Sequence, residues 1–580
     1  MNFISHILIL SGVFISPLLY CQTTLEKEGR FSDFSAPLNI PLFLSGNYGE
    51  IRSAHFHAGV DFKTEQVDGK SVLAAAQGWV FRIAVQSGGY GKALYLKHPN
   101  GLVTVYCHLK MFNPALENYV KEQQYKKKSF EVNLFPQAGQ FTFKKGEVIG
   151  YSGNSGSSDG PHLHFEIRDP SASIPLNVLR YNLPINDHVK PKISWLAVYP
   201  IDKQSKVNES NQKLLIRVNG KNGDYYPVEN HIRVSGKIGF GIETYDFLDN
   251  SGNACSPYAI KLFSDGSLYF MCTLDSIPFS LTTYVNSHVD YEEKIRSGRN
   301  IQKLYIDPNN RLDIYQTGSD RGAVQFTDTA VHSIRIQVED AYENKSVLKF
   351  DVRSVAAALV SEQLYSADED VVTFYYDSLN VFENNDVRVV IPRNALADNI
   401  NFQFRKIPAD SNLLSDVFEI HNMFTPLFKS CILSIKPKYI PTGLQNKMFL
   451  AKTGNNSIYE AQGGSYKNGY VTAPVKSFGN FFIAIDTISP EIQAAEFRKD
   501  RQYTEGQVLK FKIRDLESGI RKYNGYIDAK WALFEYDAKN NLLSYVIDGS
   551  RLSKGKSHTI EIIVTDNKDN VTHYNANFFY

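Results

Sequence analysis

The chain has 580 residues, which at about 150 residues per domain is a prior of four domains. Its 62 Lys and Arg against 61 Asp and Glu leave a net charge of +1, so bulk electrostatics give it no drive toward nucleic acid or an anionic membrane. With 43% hydrophobic and 21% charged residues it is neither disordered nor collagen-like, and 34 Tyr with 37 Phe favour strands, so a mostly β protein is expected.

The first element is an apolar run, ILILSGVFISPLL, at residues 7–19. It falls short of the ~20 residues that span a bilayer and has the length of a signal-peptide core. Residues 1–22 are therefore expected to be a signal peptide cleaved near Cys21–Gln22, with export to a periplasm or cell envelope. The bulky Tyr20 argues against lipid attachment at Cys21, and no later segment is long and apolar enough to span.

Residues 23–187 follow as a first domain. VLAAAQGWVFRIA, ALYLKH and LVTVYCHL read as strands broken by Gly and Pro-Asn-Gly turns. One helix interrupts them. Asn113 can cap it, Pro114 suits its first position, Leu116, Tyr119 and Val120 share a face, and Lys126 to Lys128 sit at its C-terminal end. Short strands dominate from about residue 190. Residues 190–355 and 487–580 look like copies of one unit. One opens on Pro191-Lys192-Ile193 and the other on Pro490-Glu491-Ile492; near their ends, Ile336 to Asp340 precedes Asn344, and Ile562 to Asp566 precedes Asn570. They are expected to be β-sandwiches resembling bacterial immunoglobulin-like modules. Residues 365–486 form a β domain of unclear type. The five cysteines make no C-x-x-C pair; Cys255 and Cys272 can join in an oxidising compartment.

Six of the 14 histidines, His55, His57, His98, His108, His162 and His164, lie between residues 55 and 164. Clustered imidazoles with a nearby carboxylate are the raw material of a zinc site. In a strand, His57, Gly59 and Asp61 of AHFHAGVDF share a face; so do His162, His164 and Glu166 of HLHFEI, and Thr104, Tyr106 and His108 of LVTVYCHL. Cys107 falls on the opposite, apolar side. By spacing alone, His162 and His164 can both be ligands, and His55 rivals His57. Gly150, Gly153, Gly156 and Gly160 read as a flexible turn before His162.

In order along the chain, SGNYGEIRSAHFHAGVDF, VLAAAQGWV, GGYGKALYLKHPNGLVTVYCHL and KKGEVIGYSGNSGSSDGPHLHFEIR resemble the lysostaphin-type (LytM-like) zinc metallopeptidases, over about residues 40–170. One departure is a longer stretch between His108-Leu109 and Lys144-Lys145-Gly146. The resemblance implies a small antiparallel β core and one zinc ion per chain, bound by His57, Asp61 and His164. His108 and His162 are then the catalytic pair, one handling the proton and the other the oxyanion, in an order left open. Three protein ligands leave a position open, as catalytic zinc requires. The implied activity is endopeptidase cleavage of peptidoglycan cross-links or stem peptides; the alternative is an inactive wall-binding protein or activator of another hydrolase. The later β domains are expected to bind a protein or glycan, and residues 30–187 to contain all the chemistry.

Overall fold

Alternation of apolar and polar residues brings the short runs of the first domain together as a sheet. The computed structural model describes residues 34–229, 231–355, 372–410, 413–454 and 459–580. The expected signal peptide and Cys21 lie outside them. In the first domain the strands are β1 (Leu44–Gly46), β2 (Val60–Lys63), β3 (Ser71–Leu73), β4 (Gly78–Val85), β5 (Lys92–Lys97), β6 (Val103–Leu109) and β7 (Met111–Phe112). After the helix α1 (Pro114–Lys127) come β8 (Val132–Leu134), β9 (Thr142–Phe143), β10 (Val148–Tyr151), β11 (His162–Arg168) and β12 (Pro175–Leu176). The main sheet runs β1-β2-β11-β6-β5-β4-β8, with β12 on β11 and β9 on β4; β3, β10 and β7 form a second sheet. All of these pairings are antiparallel.

The long link after His108 is α1 with β8 and β9. Asn113 Oδ1 accepts from Leu116 N at 3.0 Å, Pro114 begins the helix, and Lys128 closes it in the left-handed region at φ 49°. Leu116, Val120 and Gln124 are buried on one face, with Tyr119 packed beside them.

Beyond residue 190 the molecule is also β. Residues 192–354 build one twelve-stranded array around Leu196, Phe240, Phe270 and Ile336. Residues 372–485 build two five-stranded sheets and a two-stranded ribbon around Val389, Leu433 and Phe481. Residues 491–579 build two four-stranded sheets around Phe511, Leu543 and Ile562. Cys107, Cys255, Cys272 and Cys431 are buried free thiols, so Cys255 and Cys272 are not bonded to each other. Among the described residues, no helix is long and apolar enough to cross a membrane.

The domains touch in a ring. Leu248, Cys255 and Ala341 of the twelve-stranded array sit in the first domain's core. Tyr284 packs at a tilt against Phe428 with ring centroids 4.5 Å apart, and Asn309 Nδ2 donates to Leu396 O at 2.6 Å. Lys568 of the last domain donates to the carbonyls of Met448 and Gly464 at 2.8 Å. That last domain then returns to α1. Lys121 Nζ bonds Asp548 Oδ2 at 2.6 Å, Trp531 meets Tyr125 edge-on at 5.3 Å, and Arg551 lies over the Tyr125 ring at 3.5 Å.

Candidate metal centre

Register places the first two donors. β11 pairs with β2 so that His164 stands directly across from Asp61, on the same face. His57 comes from outside the strand. The sequence suggests that AHFHAGVDF is one strand, but only Val60–Lys63 is; His57 lies in an irregular segment before it, pinned by Gly49 N to His57 O at 2.9 Å and His57 N to Glu50 O at 2.8 Å. Gly59 is needed there because a Cβ would stand 2.3 Å from Phe165 O.

Three atoms converge. His57 Nε2 lies 3.1 Å from Asp61 Oδ1 and 3.0 Å from His164 Nδ1, and His164 Nδ1 is 2.8 Å from Asp61 Oδ1. The other nitrogen of each ring is engaged elsewhere. His57 Nδ1 is 2.7 Å from the Asn47 carbonyl, and His164 Nε2 is 2.8 Å from Glu166 Oε1. If those outer nitrogens carry the protons, both lone pairs point at Asp61. This donor set of two imidazoles and a carboxylate fits a metal such as zinc. Asp61 Oδ2 is held by Arg52 at 3.4 Å, and Arg52 by Glu50 at 2.8 Å.

Two more imidazoles flank the group. His162 Nδ1 is 2.9 Å from Gly160 O, which turns Nε2 to within 3.5 Å of Asp61 Oδ1. His108 Nδ1 is 2.8 Å from Ser155 O, and its ring lies 4.8 Å from that of His162. The face assigned to His108 by strict alternation is wrong. Tyr106 faces the main core with Phe165, whereas Cys107 is paired with His164 and shares the face of the site. His108 reaches that face because its backbone turns left-handed, at φ 59°. Leu109 then falls back into the main core with Tyr106. Cys107 is a buried thiol beneath the site and lies outside the donor group.

Charge follows this layout. Burial works against ionisation of Asp61, yet the His57, His162 and His164 rings around it hold its carboxyl well below the usual range. Burial likewise opposes a charge on His164, but Asp61 and Glu166 raise it to about 9. Glu166 is lowered to about 2 despite its burial, by Arg168 and then His164. His108 is pushed down to about 3, by burial first and then by His164 and His162, so it is a neutral base at physiological pH.

Several supporting residues escaped the sequence reading. Arg168 Nε donates to Glu166 Oε2, and Tyr90 stacks on His164 at 5.4 Å. Arg168 was legible, two residues beyond Glu166 on the same face; nothing local marks Tyr90. Two glycines of the loop before His162 are closely packed, since a Cβ on Gly153 would stand 2.4 Å from Lys110 N and one on Gly156, at φ 72°, 2.4 Å from Gly89 O, whereas Gly160 has open space around it. His55 is exposed and outside the group. His98 is buried between Gln77 O at 2.9 Å and Thr104 Oγ1 at 2.7 Å, a structural role.

Residues 55–126 match Peptidase family M23. That match lies within the N-terminal domain, the M23 domain. Residues 371–486 match the Zu5-like domain. The M23 domain is similar to an uncharacterized metalloprotease of Haemophilus influenzae, 39% identical over 165 residues, 28% of this chain and 28% of that protein. It is also similar to the DD-carboxypeptidase/endopeptidase Mpg of Neisseria meningitidis, 34% identical over 25% of this chain and 29% of the relative. The chain thus spans under a third of these relatives' length. Among solved structures, a mutant catalytic domain of the prophage-encoded M23 protein EnpA of Enterococcus faecalis aligns at 24% identity, covering 24% of this chain and 88% of that one, with a TM-score of 0.18. The catalytic domain of lysostaphin from Staphylococcus simulans aligns at 26% identity over 22% and 76%, with a TM-score of 0.16.

Proposed function

We propose that the chain is an exported zinc-dependent endopeptidase that hydrolyses peptide bonds in bacterial peptidoglycan cross-links. The observation that carries this reading is the convergence of His57 Nε2, Asp61 Oδ1 and His164 Nδ1 within 3.1 Å of one another beside two further imidazoles. Those three atoms would hold the metal. The ion supplies a Lewis acid for the scissile carbonyl. The chain's own groups do the rest. Neutral His108, with Nδ1 tied to Ser155 O, offers Nε2 to take a proton from the attacking water and return it to the leaving amine. His162, with Nδ1–H tied to Gly160 O, donates to the developing oxyanion when Nε2 carries a proton as well. The reverse division of labour is open to the pair. A complete donor set argues against the inactive, wall-binding alternative.

The Neisseria relative is named for both DD-carboxypeptidase and endopeptidase activities, so release of a terminal residue is a second reading for the same centre. Both are tested by mass spectrometry of defined muropeptides incubated with the zinc-loaded chain. Cleaved cross-links support the endopeptidase, and shortened stems support the carboxypeptidase. Asp61→Ala is expected to lose bound zinc. His108→Ala is expected to keep zinc and lose about 10²–10⁴-fold in turnover. Full activity in either variant, or intact muropeptides with the zinc-loaded wild type, would refute the assignment.

A further inference from the structure

The two units that look like copies in the sequence also share a carboxylate frame. Asp187 stands four residues before Pro191 and Asp486 four before Pro490; Asp340 and Asp566 stand four before Asn344 and Asn570. The bonds recur as well. Asp187 Oδ1 accepts from Val189 N, and Asp486 Oδ1 from Ile488 N, both at 3.0 Å. Asn344 Nδ2 donates to Asp340 Oδ2 at 2.7 Å and Asp187 O at 3.2 Å; Asn570 Nδ2 donates to Asp566 Oδ2 at 2.7 Å and Asp486 O at 3.3 Å. Asp246 completes the first triad and Asp515 the second, and in each the three ligand oxygens lie within 4.8 Å of one another.

The copies differ in what answers the charge. In the second, the Ser518 hydroxyl donates to Asp486 Oδ2, the Asn570 amide reaches Asp486 Oδ1 at 3.3 Å, and the Lys568 ammonium is close enough to feel Asp486 and Asp566. In the first, Asp249 occupies the place of Ser518, three residues after the third aspartate, and turns away to His188 Nδ1 at 2.7 Å. Asp187 Oδ2 and Asp246 Oδ1 are buried without a hydrogen-bond partner. These side chains belong to residues only 6% and 2% exposed, and among the described residues no Lys or Arg pairs with either. A carboxylate buried this way either keeps its proton or needs a cation to answer its charge.

We propose that Asp187, Asp246 and Asp340 bind a calcium ion. The donors are all oxygen, which suits a hard divalent cation. Oxygens about 2.4 Å from one ion lie at most about 4.8 Å apart, which the triad satisfies. The place gives the ion a task. Asp187 lies on the segment leaving the M23 core, after Leu183 and Ile185; Asp246 follows the strand Ile232–Tyr245, and Asp340 follows Val331–Glu339. Leu248 and Ala341, beyond the last two, pack in the M23 core. Calcium here pins the connecting segment and two sandwich strands at the seam between domains.

The test uses the full chain, freed of metals with a chelator and titrated with calcium chloride by calorimetry, with thermal unfolding in parallel. Wild type is expected to bind calcium and to unfold at a temperature that rises with its concentration. Asp246→Asn is expected to bind one ion per chain fewer than wild type and to lose that rise. Asp187→Asn, in the connecting segment outside any strand, gives the same reading where Asp246→Asn does not fold. Absence of calcium binding by wild type, or undiminished binding by either folded variant, would overturn the site. An equal rise with magnesium would overturn the choice of calcium.

Discussion

Glu166 shows how far a single residue reaches from the metal centre. It is wholly buried, accepts from His164 Nε2 and is held from behind by Arg168. That pairing fixes which nitrogen of His164 faces Asp61. Glu166→Gln leaves a neutral acceptor and an unanswered Arg168 in a dry pocket, and it is expected to weaken metal binding about 10–100-fold. Competition against a chromogenic chelator reads that change, and unaltered affinity would show that His164 orients itself. At this scale the sequence was half legible. A period of two placed His162, His164 and Glu166 on one face, and β11 bears this out in an unbroken strand. The same period misplaced His108, because one left-handed residue inverts the alternation and no neighbour announces it. His57 stood four residues before Asp61 for a different reason: it lies in an irregular segment outside β2, where strand arithmetic does not apply.

Among the elements, the short helix Val285–His288 carries a pH dependence for the seam it lines. His288 is buried between Tyr315 Oη and Gln302 Oε1, each at 3.0 Å, with the Phe56 ring 5.6 Å away and Lys303 near enough to repel a charge. Burial pushes its imidazole down from 6.5 to about 4. The folded state therefore refuses a proton that the unfolded chain accepts, and stability falls as pH drops from about 6.5 toward 4, with no effect above that window. At pH 4.5 His288→Gln should have lost less of its pH 7 stability than wild type, by about 2–3 kcal/mol at most. Denaturant midpoints at the two pH values check this, and parallel losses would place the acid sensitivity elsewhere, for instance at His421, whose burial also lowers it to about 4. Helix α1 was legible in its cap and buried face but not in its outer face. Tyr125 reads as an ordinary exposed aromatic until Trp531, 406 positions later, comes to rest against it.

Over the whole molecule, the first domain holds every donor of the metal centre but leans on later domains for its packing. The M23 core takes Leu248, Cys255 and Ala341 from the next domain and contacts Tyr523, Leu533 and Tyr536 from the last. Lys92 is buried in β5 and its ammonium is paired with Glu535 at 3.2 Å, while Lys539 donates to the carbonyls of Asn154 and Gly156 on the loop that holds His108. A chain ending at residue 486 is therefore expected to keep its zinc but to expose α1. Trypsin should then cut at Lys126 to Lys128 several times faster than in the full chain, read by mass spectrometry of timed digests. Equal resistance would mean that the last domain touches α1 without bracing it.

The closed ring also has a temporal side. A ribosome makes the donors of the metal centre early: His57 and His164 are 107 positions apart, and all three donors are made before the next domain begins. The brace on α1 belongs to residues made after every other described domain, with 408 positions between Tyr125 and Leu533. A nascent or prematurely ended chain therefore carries the full set of imidazoles while its insertion helix and histidine loop are unsupported. Arrival of the last described domain, rather than synthesis of the donors, is the event that braces the helix and the histidine loop.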